Sequence, residues 1–196
     1  MSSHDDSGAD EQIKRAMQRW LERAVIGLNL CPFAKAVHVK GQVHYVVSHA
    51  REPQTLLQDL RRELRELAAS DPTQRDTTLL MLPHCLQDFL DFNDFLAEAD
   101  LALAELELGG VLQIASFHPQ FQFAGTVADD ITNFTNRAPY ATLHLLRESS
   151  IDQAVAAFPE AETIYEKNMQ TLEQLGPEGW AALDVGPSAP AGERKP

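Results

Sequence analysis

Apolar positions recur at helical spacing in several stretches of the chain, with short contiguous apolar runs between them. Ile13, Met17, Trp20, Leu21, Ala24 and Leu28 share one face of a helix that Asp10 can cap. It should stop near Asn29, because Cys31 precedes Pro32 and a residue before proline is pushed out of the α region. Val43–Ser48 is a β-branched and aromatic run and predicts a first strand. Pro53 then suits the first turn of a helix with a stripe of Leu56, Leu57, Leu60, Leu64 and Leu67. Thr77–Leu82 predicts a second strand, buried on both faces. A helix from about Leu86 to Leu106 follows, stopped by Gly109-Gly110, and Val111–Phe117 predicts the third strand.

Strand and helix alternate in this order, so right-handed crossovers and a largely parallel sheet are expected. Ala141–Leu146 predicts a fourth strand. Ser150 caps a short helix that Pro159 interrupts, and a last helix carrying Ile164, Tyr165, Met169 and Leu172 closes at Gly176-Pro177. The expected fold is α/β: a single domain over residues 10–183 with a mostly parallel sheet of about four strands covered by helices. A polar, acidic stretch at 1–9 and a tail rich in Gly, Pro, Ala and charge at 184–196 are expected to be disordered.

One segment breaks the periodicity. Between the third strand and the end of the fourth, Ser116–Glu148 crowds His, Arg, Asn, Asp and aromatic residues into a long connection with little helical or strand pattern. A loop this long inside a compact domain is functional or disordered, and this one is too aromatic for a linker. His118 falls at the carboxyl end of the third strand, where ligands of parallel sheets gather. His144 lies inside the fourth strand, on the face opposite Leu143 and Leu145, so the two converge only if that strand neighbours the third. Either imidazole suits acid–base work near neutral pH; the alternative is a buried, hydrogen-bonded structural histidine.

Arg137, in an Asn-rich loop, and Arg147, after the fourth strand, offer planar forks suited to carboxylate or phosphate. Pairing with Asp129, Asp130 or Glu148 would explain them equally. Asn136 can donate amide hydrogen bonds to a ligand, whereas Asn133 fits turn duty better. Gly125 offers close backbone approach, but no phosphate-cradling glycine motif is present. His118, Asp129, Asp130 and His144 are metal-ligand residue types whose spacing matches no metal motif, so no metal site is assigned. Cys31 follows a helix C-terminus, whose dipole opposes thiolate formation, and burial is the better reading.

Composition narrows the partners. The chain has 196 residues, 44% hydrophobic and 23% charged, with a formal net charge of −13, enough to bury a core but without the basic surface that nucleic acid or an anionic membrane requires. Two cysteines in no CxxC pair, no basic-then-apolar leader and no run of about 18 apolar residues point to a reduced cytoplasmic protein that does not span a membrane.

The motifs LNLCPFA (28–34), FHPQFQFAG (117–125), TNRAPYATLHLLRE (135–148) and FPEAETIYEKN (158–168) together resemble the bacterial domain-of-unknown-function 1415 family over roughly residues 10–183. The resemblance brings no reaction, cofactor or substrate with it. It draws attention to Cys31, His118, Pro119, Asn136, Arg137, Pro139, Tyr140, His144 and Arg147, and implies departures at Phe121 and Ala141, where the family pattern has Tyr and Pro. Tyr140 joins the ligand-binding candidates on this ground. The leading expectation is an enzyme acting on a small carboxylated or phosphorylated molecule. His118 and His144 would be its acid–base groups, and Arg137, Arg147, Asn136 and Tyr140 would hold the ligand. A non-catalytic small-ligand or protein-binding domain and a metal-dependent hydrolase are the alternatives; the cofactor and oligomeric state are open.

Overall fold

The computed structural model describes residues 3–157 and 163–187. Met1, Ser2, the interruption expected at Pro159 and the stretch 188–196 lie outside the described residues. Helix α1 (Ser3–Trp20) starts well before Asp10, whose carboxylate meets His49 Nε2 at 3.2 Å instead of capping. It runs on as a π-helical turn, Leu21–Ile26, and ends where Asn29 takes a left-handed backbone (φ 55°). A short helix α2 (Ala34–Val39), unforeseen from the apolar pattern because it buries no residue, leads to strand β1 (Val43–Val47).

Helix α3 (Pro53–Ala69) carries the expected proline in its first turn and buries Leu56, Leu60, Leu64 and Leu67 completely. Strand β2 (Thr77–Met81) is buried at every position, as a double-sided strand should be. Helix α4 (Phe89–Glu105) starts three residues later than expected. Leu86 has φ 54°, which no helix tolerates, and Asp88 supplies the cap through Leu90 N and Asp91 N. Strand β3 (Leu112–Phe117), a 3-10 turn (Ile131–Asn136), strand β4 (Thr142–Arg147) and helices α5 (Glu148–Ala157) and α6 (Ile164–Ala182) complete the order. The expected stop at Gly176-Pro177 is a kink within α6, with Gly176 at φ 65°.

The sheet order is β1-β2-β4-β3. The expectation of a mostly parallel sheet needs correction: β1 and β2 are parallel, but β4 enters between β2 and β3 and is antiparallel to both, so the sheet is mixed. The reason lies in the long loop. A parallel return needs a crossover, usually an α-helix, to carry the chain back to the starting edge. Residues 118–141 contain only a 3-10 turn, so the chain re-enters at the end where it left.

Two apolar layers sandwich this sheet. On one face, the α3 leucines with Phe92 and Phe95 of α4 pack on Leu80, Leu112, Leu143 and Leu145. On the other, Ile13, Met17, Trp20 and Leu21 pack on Leu79, Met81, Tyr45 and Phe117. Helix α6 lies against the 3-10 turn, with Trp180 edge-on to Phe134 at 4.9 Å. Among the described residues no helix is long and apolar enough to cross a membrane.

Candidate functional site

Strand parity decides what the histidines can do together. In the β3–β4 register Ala115 faces His144, so His144 shares a face with Ala115 and Phe117, while His118 continues the opposite face of β3. The strands are neighbours, yet the two imidazoles lie on opposite sides of the sheet. His118 is buried between Phe89 and Phe92, ring centroids 5.5 and 5.1 Å away. The backbone N–H of Gln120 donates to its Nδ1 (3.0 Å), so the proton sits on Nε2 and is donated to Leu86 O (3.2 Å). Both ring nitrogens are therefore engaged by backbone. Burial lowers the pKa of His118, partly offset by the Leu86 carbonyl.

His144 meets Thr77 Oγ1 at 2.7 Å. That hydroxyl donates to Leu145 O, which leaves its lone pair for the His144 Nε2 proton. The ring lies 5.9 Å from Phe117, and burial drives its pKa from the ordinary 6.5 to about 4. It is a neutral imidazole at physiological pH.

The two arginines are also separated. Arg147, at the far end of β4, is buried, and its Nη2 donates to Leu67 O (2.6 Å), Ser70 O (2.7 Å) and Arg75 O (3.2 Å). It caps the carboxyl end of α3, where a cation meets the negative end of the helix dipole. Thr142, at the opposite end of the strand, is about 17 Å away at the usual rise per residue. Arg137 precedes even that end. It donates Nε to Phe121 O (3.1 Å) and Nη2 to Ala128 O (2.5 Å), and its guanidinium lies 4.4 Å over the Phe134 ring. Among the described residues it forms no ion pair, and burial alone acts on its pKa, lowering it. Arg137 and Arg147 do not share a pocket.

The remaining candidates organise the loop. Asn136 donates Nδ2 to Ser116 O (3.3 Å), and its carbonyl accepts from His118 N (3.2 Å), extending the edge of β3. Tyr140 is half-buried in the α1-side layer, its phenol pKa raised by burial and eased by Arg19. Asn133, fully buried, accepts from Phe123 N (2.9 Å) and Thr126 Oγ1 (2.8 Å) and donates to Val127 O (2.8 Å). Asp130 caps the 3-10 turn through Thr132. Gly125 stands at φ 82°, in a turn closed by Thr126 N to Phe123 O. The Cys31 and Cys85 thiols are free, and burial raises the pKa of each. Among the described residues no group of three or more His, Cys, Asp or Glu side chains could hold a metal ion.

Arg137 does open on a cavity, of about 180 Å³, with Trp20, Phe134, Trp180, Pro119 and Pro139. Residues 185–187 line it as well, and Arg19 fastens that strap by donating Nε to Asp184 O (2.9 Å) and Nη2 to Gly186 O (3.3 Å). Trp20 is 2% exposed, and its indole N–H is buried without an acceptor among the described residues. Neither tryptophan stood out as a site residue from sequence. Trp20 reads as one more member of an apolar stripe, and Trp180 follows the Gly-Pro pair. Their usable signal was the indole N–H, which seeks a partner when buried. A larger cleft of about 380 Å³ lies between the α1 exit (Leu28, Asn29, Pro32) and α6 (Lys167, Asn168, Thr171). Its buried Asn168 is already tied to Leu30 O at 2.9 Å.

Fold and cavity together define a four-stranded mixed α/β domain with an aromatic-walled hollow beside Arg137. A family model described as Protein of unknown function (DUF1415) matches residues 12–182, and the chain belongs to that family. No curated protein and no solved structure matches it.

Proposed function

We propose that this chain is a small-anion-binding domain, with the Arg137 guanidinium as the anion contact. One observation carries the reading. In a chain of net charge −13, Arg137 is half-buried, fixed by two backbone carbonyls, stacked on Phe134 and without a carboxylate partner among the described residues. A positioned cation at the rim of a cavity attracts an anion that displaces little ordered structure. The acid–base part of the sequence expectation finds less support. His118 has no lone pair or proton left for a substrate in this geometry, and His144 lies across the sheet from it. Binding without catalysis is thus favoured over an enzyme. Two free thiols suit a reducing, cytoplasmic setting for it.

A thermal-shift screen against small carboxylates and phosphates, run on the wild type and on Arg137→Ala, tests this. The expected result is a stabilising anion whose effect vanishes in the variant. Anions that stabilise both proteins equally would sink the reading.

A further inference from the structure

We infer that the Arg137 cavity accepts a planar, one-ring monocarboxylate in preference to a phosphate; this rests on the anion-binding reading above and narrows it. Donor supply is the first argument. A guanidinium has five N–H donors, and Arg137 commits Nε and one Nη2 hydrogen to Phe121 O and Ala128 O, leaving Nη1 with no acceptor among the described residues. Among the described residues Arg137 is also the one charged side chain lining the hollow. A dianionic phosphate is ordinarily held by several converging donors, from a second cation, a helix N-terminus or a nest of backbone amides. One arginine matches the charge and the two oxygens of a carboxylate.

Wall chemistry is the second argument. The other lining side chains among the described residues are apolar, with the aromatic rings of Trp20, Trp180 and Phe134 beside Pro119 and Pro139 and the 185–187 strap. Phe134 faces the guanidinium at 4.4 Å and meets Trp180 edge-on at 4.9 Å and 66°, so aromatic surface continues directly from the cation into the hollow. Such surfaces favour an aromatic ring, stacked or edge-on, over a compact tetrahedral ion. About 180 Å³ falls short of the roughly 300–1,000 Å³ of drug-sized clefts, which limits the occupant to about one ring.

The chain has two tryptophans, and both line this cavity, so intrinsic fluorescence reports on it directly. Titrations would use benzoate, its neutral counterpart benzamide, acetate and inorganic phosphate, on the wild type, Arg137→Met and Trp180→Leu, with circular dichroism confirming that each variant is folded. The expected result is benzoate binding at least tenfold tighter than acetate, phosphate or benzamide. Arg137→Met should weaken benzoate at least tenfold, and Trp180→Leu should narrow the preference for benzoate over acetate. If acetate or phosphate equals benzoate and still depends on Arg137, the ring preference is overturned while anion binding stands. If benzamide equals benzoate, if Arg137→Met leaves benzoate unchanged, or if no probe binds, both readings fall. Should Arg137→Met fail to fold, an unchanged benzoate-to-acetate ratio in Trp180→Leu overturns the inference on its own.

Discussion

Arg137 and Arg147 flank the same strand ten residues apart, and the fold puts them to opposite uses. Arg147 enters the layer beneath α3, and one nitrogen answers three carbonyls that the helix end and the following turn leave open. Arg137 stays in the loop, held by two carbonyls at its rear, and lines a hollow. What separates them is place: Arg147 is buried, and even its unpaired Nε is shut off from solvent, whereas half-buried Arg137 lines a cavity that a ligand can enter. The histidines are held inside the protein too: buried His118 has both ring nitrogens engaged by backbone, and partly buried His144 is tied through Nε2 to Thr77.

The largest expected effect falls on the structural member of the pair. Arg147→Ala strands buried carbonyls at the end of α3 and should cost about 3 kcal/mol or more, seen as a fall in melting temperature of roughly 6–12 °C. If the protein melts within a degree of wild type, the pinning role is refuted.

Next comes pH. His144 has a folded pKa of about 4 against an ordinary 6.5. Between these values the unfolded chain takes up a proton that the folded protein refuses, so stability falls as pH drops from about 6.5 towards 4. The size is on the order of 2–3 kcal/mol from this group, and His118, lowered in the same direction, adds to it. Urea unfolding midpoints at pH 7 and pH 4.5 should diverge less in His144→Gln than in wild type. An equal divergence contradicts the assignment of a neutral buried imidazole.

Asn133→Ala comes third, at about 2 kcal/mol, because three hydrogen bonds that hold the 123–133 loop in place lose their partner. Hydrogen exchange at Phe123 N should speed up; unchanged protection would place the loop's order elsewhere.

Smallest is the stability cost of Arg137→Met, about 1 kcal/mol, since its bonds are only half-buried. Were it to match the cost of Arg147→Ala, the contrast between the two arginines would collapse.

The sequence showed much of this, and its failures have physical reasons. Helices α3 and α4 and all four strands follow from apolar periodicity, because each buries a face or two. Helix α2 escaped because it buries nothing. The sheet's mixed order was hidden because the alternation of strand and helix says nothing about where β4 enters. The long loop singled out by its residue types is where Arg137 and its backbone anchors lie. What residue types could not supply was parity and strand direction, which part His118 from His144 and Arg137 from Arg147. The cavity itself joins α1, the loop and α6, and its walls come from Trp20 and Trp180, 160 residues apart.

The most direct test is a crystal soaked with 4-bromobenzoate, whose bromine marks the ring by anomalous scattering. The account predicts a bromine peak in the hollow between Trp20 and Trp180, with the carboxylate on Arg137. A bromine peak elsewhere, or an empty hollow at a concentration that saturates the fluorescence titration, would contradict it.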